Sequence, residues 1–441
     1  MSQFTLLGSR RFGPLFATQF LGALNDNVYK NAVVIFIAFA LADRSGIDSN
    51  LLVVLAGGVF ILPFFLFSAT AGQLADKFDK AWLIRWVKLG EIAIMSLGAC
   101  AFILESVVLL FTVLMLMGAQ SALFGPLKYG ILPQLVELSE LTGANGMVQM
   151  GTYISILLGT ILGGVLIAVS GYGVFLVTIA VLLFALSGWY ASRFIPRVGA
   201  AEPGLRVDPN FPARTWQLLR YCYRDPTLFL AIVGVSWFWF LGATFLSLVP
   251  GYTRDLLQGN EHVATLLLTA FSVGIGIGSL TCERFSHGRI ELRLVVVGIL
   301  GMSLFALGLY LLGEPATDGD QLLDAAAFLG YWQHWLVLLG LTGIGLFGGL
   351  YIVPLYTLVQ YRAAADHRAR VIAANNVLNA LFMVLSALVT MALIGANAGI
   401  PLIFGLIGVM NLLFAVFILA RLQPLRATLG RLERYLPGTV R

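Results

Sequence analysis

Five charged side chains, Asp26, Lys30, Lys88, Glu91 and Lys128, each sit inside a run of apolar residues. The first two belong to the stretch FLGALNDNVYK, Phe20 to Lys30, which also carries Asn25 and Asn27. At a bilayer centre an ionised group costs at least about 2.5 kcal/mol, so such groups persist only where something compensates. Asp26 and Lys30 are four residues apart and share a helix face; Lys88 and Glu91 are three apart and can do the same. Those spacings allow self-neutralising pairs that hold a bundle together. Lys128 has no sequence-local partner. It follows Gly125 and Pro126, which leave backbone carbonyls free for polar contacts at membrane depth. Asp26 and Lys128 together offer one negative and one positive group, which suits a zwitterion.

The elements that must position these groups are helices in a membrane. Of 441 residues, 59% are hydrophobic and only 11% are charged, against about 25% charged in a soluble globular domain. Apolar runs of about 20 residues recur, each long enough to cross a hydrocarbon core of roughly 30 Å. A β-barrel would show alternating segments of about 10 residues instead. The first run is too long for a signal peptide, contains Asp26 and Lys30, and lacks a small-x-small cleavage site. Twelve spans are predicted, near 12–41, 51–73, 81–104, 106–132, 144–169, 172–193, 227–250, 263–282, 293–313, 333–359, 371–395 and 399–420.

The longest polar interval, Arg193 to Asp225, holds four prolines and six arginines and reads as a linker with a short amphipathic helix around Trp216–Tyr223. The expected organisation is a six-helix bundle over 1–193, a cytoplasmic linker over 194–226, a second bundle over 227–421 and a cytoplasmic tail over 422–441. Lys and Arg crowd the segments on one side, while the other side holds only Arg44 and Arg254 plus the acidic Glu314, Asp318, Asp320 and Asp324. By the positive-inside rule both termini are cytoplasmic. The net charge of +5 then belongs to the inner membrane surface, and nucleic acid is not an expected partner. Cys100, Cys222 and Cys282 form no CxxC pair, and His262, His287, His334 and His367 lie outside or at the edges of the apolar cores. Neither a disulfide framework, a metal site nor a cofactor is expected.

The two halves repeat. ADKF (75–78) after span two matches CERF (282–285) after span eight; LFGPLK (123–128) matches LFGGLY (346–351); GANG (143–146) matches AANN (373–376). Parallel repeats of six helices are the mark of a transporter that rocks two bundles about a midplane site. Glycines in spans five and eight (Gly159, Gly163, Gly274 and Gly278 among them) read as close-packing positions. WFWF (237–240) in span seven is aromatic and uncharged, and Trp237 and Phe240 are candidates either for bundle packing or for lining an apolar path.

The loop GQLADKFDK, Gly72 to Lys80, resembles the cytoplasmic G-x-L-A-D-R-x-G-R-K motif of the major facilitator superfamily. That resemblance makes Gly72, Asp76, Lys77 and Lys80 gating and stability residues, with Lys77 and Lys80 facing the cytoplasm. Asp79 stands where the motif has its second glycine. FLGALNDNVYKNAVV and GPLKYGILP resemble the bacterial lysophospholipid transporter family of that superfamily, and RRFGPLFATQFLGALNDNVYKNAVV is similar to the transporter module fused to an acyltransferase in some members. The resemblance covers all twelve spans. It implies a monomeric, all-α inner-membrane transporter, not an enzyme, that flips lysophosphatidylethanolamine or lysophosphatidylglycerol to the inner leaflet for a separate acyltransferase. It also implies that Asp26 faces an ammonium and Lys128 a phosphate, with Asn25, Asn27 and Lys30 completing the headgroup site. Lys88 and Glu91 remain coupling or structural charges. The family's charged residues around span seven have no counterpart here. A proton-coupled exporter of amphiphilic compounds, with Asp26 or Glu91 as the proton carrier, is the alternative reading of the same carboxylates.

Overall fold

A computed structural model describes residues 3–37, 49–313 and 322–432. Arg44, Glu314, Asp318, Asp320, the end of the first expected span and the tail past 432 lie outside those residues. Among the described residues there are fourteen α-helices, of which twelve are at least 20 residues long. In chain order they are α1 (Gly13–Phe36), α2 (Ser49–Lys77), α3 (Lys80–Ile103), α4 (Val107–Leu135), α5 (Leu141–Ile167) and α6 (Gly173–Ser192). The linker contributes α7 (Phe211–Tyr223). Then follow α8 (Pro226–Gly251), α9 (Glu261–Ser286), α10 (Arg293–Leu312), the short α11 (Ala325–Leu329), α12 (Trp332–Arg362), α13 (Arg368–Gly395) and α14 (Ile400–Leu432).

Eleven of the long helices are both long and apolar enough to cross a membrane. The twelfth is α1, whose 24 residues would span the core at 1.5 Å each. Its polar run from Asn25 to Asn31 is what lowers its hydropathy. The helix that looks least like a span is the one that carries the candidate site.

Helix starts follow capping chemistry. Asp79 accepts from Trp82 N–H at 2.7 Å ahead of α3, and Asn210 accepts from Ala213 N–H at 3.3 Å ahead of α7. Asn260 serves α9 in the same way, at 3.0 Å from His262 N–H. Each such cap satisfies a backbone donor that the helix itself leaves open.

By packing, the chain forms two compact units. One comprises Met1–Glu137, Ile154–Asp225 and Val359–Ala380; the other comprises Leu138–Tyr153, Pro226–Leu358 and Leu381–Arg441. In the first unit α4 lies between α2 and α3, and α6 packs on α1 and α3. Its apolar heart places Tyr29 edge-on to Phe102, with ring centroids 5.4 Å apart, among Met95, Leu114 and Val181. In the second unit α10 packs along α14, and Asn411 of α14 donates to Ile299 O and Ser303 Oγ of α10, each at 2.9 Å.

The internal repeat is visible within the units. In the first, Asp76 at the end of α2 accepts from Ala369 N–H and Arg370 N–H at the start of α13, at 3.1 and 3.2 Å. In the second, the matching Glu283 at the end of α9 accepts from Gly143 N–H at the start of α5. Each acid sits against a helix N-terminus, where the backbone donors and the helix dipole favour negative charge.

Candidate functional site

Residues 25, 26 and 27 are consecutive, so on a helix of 3.6 residues per turn their side chains point about 100° apart. The three side chains therefore leave α1 in three directions. Asn25 Nδ2 donates to Glu91 Oε1 of α3 at 2.9 Å. Asp26 Oδ2 accepts from Ser121 Oγ of α4 at 2.7 Å. Asn27 keeps its amide on α1, donating to Ala23 O at 2.8 Å, while its Cβ lies against α5: a Cβ at Gly159 would lie 2.7 Å from Asn27 Cβ, so only glycine admits that approach. One turn on, Asn31 Nδ2 reaches Thr160 Oγ1 of α5 at 3.2 Å.

Lys88 and Glu91 form a buried ion pair, with side chains 0% and 1% exposed. Both oxygens of Glu91 are occupied: Asn25 holds Oε1, while Lys88 and Gln120 Nε2 (2.9 Å) hold Oε2. The Lys88 ammonium also lies 5.5 Å from the Phe124 ring centroid. Space for its side chain comes from missing side chains opposite. A Cβ on Gly22 would collide with Lys88 Nζ, and one on Gly188 would come within 3.2 Å of Lys88 Cε. Both Glu91 oxygens are thus satisfied within the cluster, while Asn25 Oδ1 stays buried without a hydrogen-bond partner among the described residues.

Asp26 is different. Its Oδ2 is held by Ser121, but its Oδ1 is buried with no hydrogen-bond partner among the described residues. Lys30, four residues on, donates to Asn27 Oδ1 at 3.1 Å and lies 5.9 Å from the Phe60 ring centroid, so it does not close a direct pair with Asp26. Lys128 is half-buried, 4.7 Å from the Tyr129 ring centroid, and is in no ion pair among the described residues. Ser121 and Lys128 are seven residues apart, two turns of α4, so they share a face and stand roughly 10 Å apart along the axis. An acid with one free oxygen and an ammonium with no counter-ion thus face the same side of the bundle.

Ser121 and Gln120 are the partners of these carboxylates that a reading limited to charges passes over. With Thr112 they are the polar residues of α4 ahead of Lys128, and in an otherwise apolar helix that is the signal that could have found them.

The loop residues form a second cluster. Besides its two backbone donors, Asp76 accepts from Arg370 Nε at 3.1 Å and lies 3.9 Å from Lys80 Nζ. Gly72 lets α13 approach: a Cβ there would lie 2.8 Å from both Ala373 Cβ and Arg370 Cα. Lys77 is half-buried over Phe78, at 5.6 Å. Lys80, expected on the cytoplasmic surface, is 1% exposed, because its aliphatic stem packs 3.3 Å from the position of a Gly130 Cβ while its ammonium turns to Asp76.

Trp237 and Phe240 lie in the interior of the second unit, 8% and 5% exposed. Their rings stack at 5.1 Å, Phe414 stacks on Trp237 at 4.7 Å, and the indole N–H donates to Asn411 Oδ1 at 2.8 Å. The half-buried member of the aromatic run is Trp239, which stacks on Tyr153 at 6.4 Å and donates to Tyr356 at 3.4 Å.

A family model described as Major Facilitator Superfamily matches residues 15–386. The chain belongs to that superfamily. It is therefore a multi-pass membrane transporter rather than an enzyme. A lysophospholipid transporter, LplT, of Pectobacterium carotovorum is 27% identical over 367 residues, covering 82% of this chain and 81% of the relative. One from Escherichia coli strain IAI39 is 29% identical over 367 residues, covering 81% and 82%. Among solved structures, the E. coli fucose:proton symporter superposes with a TM-score of 0.69 at 14% identity, over 93% of this chain and 98% of that one. The human organic anion transporter MFSD10 gives 0.69 at 15% identity, over 91% and 99%. At such identities the likeness is one of fold alone.

As a major facilitator protein the chain departs from the superfamily loop at Asp79, and the structure shows what replaces the glycine. Asp79 has φ −58°, a backbone any residue adopts. Its carboxylate caps α3 through Oδ1 and accepts from Val198 and Gly199 N–H through Oδ2, at 2.9 and 2.7 Å.

Proposed function

We propose that the protein carries lysophosphatidylethanolamine, with lysophosphatidylglycerol as a second substrate, from the outer to the inner leaflet of a bacterial cytoplasmic membrane. A separate acyltransferase would then restore the second chain. The similarity to LplT transporters over four-fifths of the chain supports the substrate class. The observation that carries the headgroup assignment is the buried Oδ1 of Asp26, unpartnered among the described residues, on the same side as the Lys128 ammonium, which is in no ion pair among them. A buried acceptor without a donor is costly. An ethanolamine ammonium supplies that donor, and the attached phosphate supplies the counter-ion that Lys128 lacks.

In this reading Ser121 fixes Asp26 so that Oδ1 stays turned to the ligand, and Asn27 and Lys30 border the same site. The Lys88–Glu91 pair with Asn25 and Gln120 acts as the rigid backing of α1 and needs no part in transport. Asp76, with Gly72 and Arg370, latches α2 to α13; Lys77 and Lys80 support the latch. The protein acts as a monomer with both termini in the cytoplasm. The tail of a single-chain lipid stays in hydrocarbon while its headgroup crosses, since each CH₂ brought to water costs about 0.8 kcal/mol.

The test is flipping of fluorescent lysophosphatidylethanolamine in vesicles reconstituted with the purified protein. Protein-dependent flipping that unlabelled lysophosphatidylethanolamine competes for, and that glycerophosphoethanolamine does not, is the expected result. Absence of flipping, alongside transport of an amphiphilic cation driven by a pH gradient, would replace this reading with that of an exporter.

A further inference from the structure

The linker is strapped to the first unit rather than trailing from it. Arg85 Nη2 donates to Ile195 O at 2.9 Å, Glu202 N–H donates to Asp76 O at 2.8 Å, and Asp208 N–H donates to Gln73 Oε1 at 2.9 Å. Between this strap, α7 and the first turn of α13 lies a cavity of about 200 Å³. Its polar wall carries three guanidinium groups, those of Arg206, Arg214 and Arg370, together with His367 and Gln217; Leu205 and Leu218 give it an apolar side.

The charges around the cavity are unevenly matched. Arg370 is taken by Asp76 and Glu202. Arg214 is held by Asp208 at 2.7 Å and by Gln217 at 2.6 Å. His367 stacks on the Tyr221 ring at 5.1 Å and lies 3.2 Å from Asp366. Arg206 is exposed and has neither a hydrogen bond nor an ion pair among the described residues. Over residues 193–225 six arginines face three acids, Glu202, Asp208 and Asp225, and Asp225 is already committed to Arg362 at 2.7 Å. The excess is cationic, and it takes the form of planar guanidinium forks, whose geometry matches the oxygens of a phosphate.

Helix α7 sets the depth at which the cavity lies. Trp216 and Tyr223 are 68% and 69% exposed and stand seven residues apart, two turns along one face, with Arg220 between them. Amphipathic aromatic rings of this kind sit at the headgroup level of a bilayer, with basic residues beside them.

We propose that this cavity is a binding site for a phosphate mono- or diester, supplied by the headgroup of an anionic membrane phospholipid, with Arg206 as its first ligand. A phosphate that accepts from Arg206 and from Nη1 of Arg370, whose Nε and Nη2 already serve Asp76, Glu202 and Asp366 O, would join the strap to the start of α13, next to the Asp76 latch. Its glycerol would lie against Leu205 and Leu218. The site is separate from the one built on Asp26 and does not depend on what the transporter carries.

The experiment is thermal unfolding of the whole protein in nanodiscs, comparing wild type with Arg206→Ala and with Arg220→Ala, a control whose charge lies outside the cavity. Discs of phosphatidylethanolamine are set against discs containing phosphatidylglycerol, and against phosphatidylethanolamine discs given glycerol 3-phosphate in solution. A rise in midpoint with phosphatidylglycerol that Arg206→Ala loses and Arg220→Ala keeps supports the lipid source. The same pattern with glycerol 3-phosphate alone supports the phosphate site but moves its source to the cytosol. No rise in either arm, or a rise that Arg206→Ala keeps or that Arg220→Ala loses equally, overturns the proposal. Because Arg206 has neither a hydrogen bond nor an ion pair among the described residues, the Arg206→Ala protein is expected to stay folded for the comparison.

Discussion

Removing the Glu91 charge isolates what the buried ion pair contributes. Glu91 accepts from three donors, Lys88, Asn25 and Gln120, and neither Lys88 nor Glu91 touches solvent. In Glu91→Gln the ammonium of Lys88 is left inside the bundle without a counter-ion, and breaking a buried pair in this way costs about 3–5 kcal/mol. An amide also has one acceptor oxygen in place of two, so one of the three donors meets an NH₂ group. Replacing both partners removes the charge problem at its source, and such double replacements are close to neutral. Lys88→Met combined with Glu91→Gln should therefore recover most of the loss, giving a coupling energy of about 2–3 kcal/mol, near the top of the range for contacting residues. The assay is reversible unfolding of the four proteins in mixed micelles, followed by tryptophan fluorescence. If Glu91→Gln lies within about 1 kcal/mol of wild type, below any broken buried pair, the packing argument fails. If the double variant regains stability but not lysolipid flipping, the pair belongs to transport and is not a structural backing.

Asp79→Ala removes an N-cap and two linker bonds; it should cost about 1 kcal/mol and raise hydrogen exchange at residues 198 and 199, and unchanged exchange there would contradict the strap. Phe240→Asp places an unpaired carboxylate in the stacked interior of the second unit, so folded yield and transport should fall together, while Phe240→Leu transports normally; normal yield of Phe240→Asp with lost transport would instead put Phe240 on the substrate path. Burial pushes the Cys222 thiol up to about 12. Since the thiolate is the reactive form, native protein should leave Cys222 unlabelled by maleimide at pH 8 and label it once unfolded, as read by mass spectrometry of the linker peptide.

Much of the fold was legible because membrane helices are written in long apolar runs. The expected start at 227 and the observed Pro226, or 333 and Trp332, differ by one residue. The amphipathic linker helix expected around Trp216–Tyr223 begins earlier, at Phe211, where Asn210 caps it and Pro212 favours the first turn. The site was legible only in part. Charges in apolar surroundings identify Asp26, Lys88, Glu91 and Lys128, and the spacing of Lys88 and Glu91 already pairs them, but Ser121 on Asp26 and Asn25 and Gln120 on Glu91 come from other helices. Spacing suggests that Lys30 meets Asp26, whereas the rotamer it adopts reaches Asn27. Ser121 and Gln120 become significant only once α4 lies beside α1 and α3. The contact between Asp76 and Arg370 spans 294 positions, and no local pattern encodes such a distance. Trp237 reads from the sequence as lining a path or packing a core, and no local pattern shows its bond to Asn411, a single polar residue in α14.

The most direct test of the headgroup site is the initial rate of lysophosphatidylethanolamine flipping by Asp26→Asn in reconstituted vesicles, normalised to folded protein. The amide keeps the shape and the Ser121 contact but not the charge that an ethanolamine ammonium needs. Losing a hydrogen bond to a charged group is worth about 1.5–3 kcal/mol, so the rate should fall roughly 10- to 150-fold with thermal stability near that of wild type. Flipping at the wild-type rate by a well-folded Asp26→Asn protein would contradict the account.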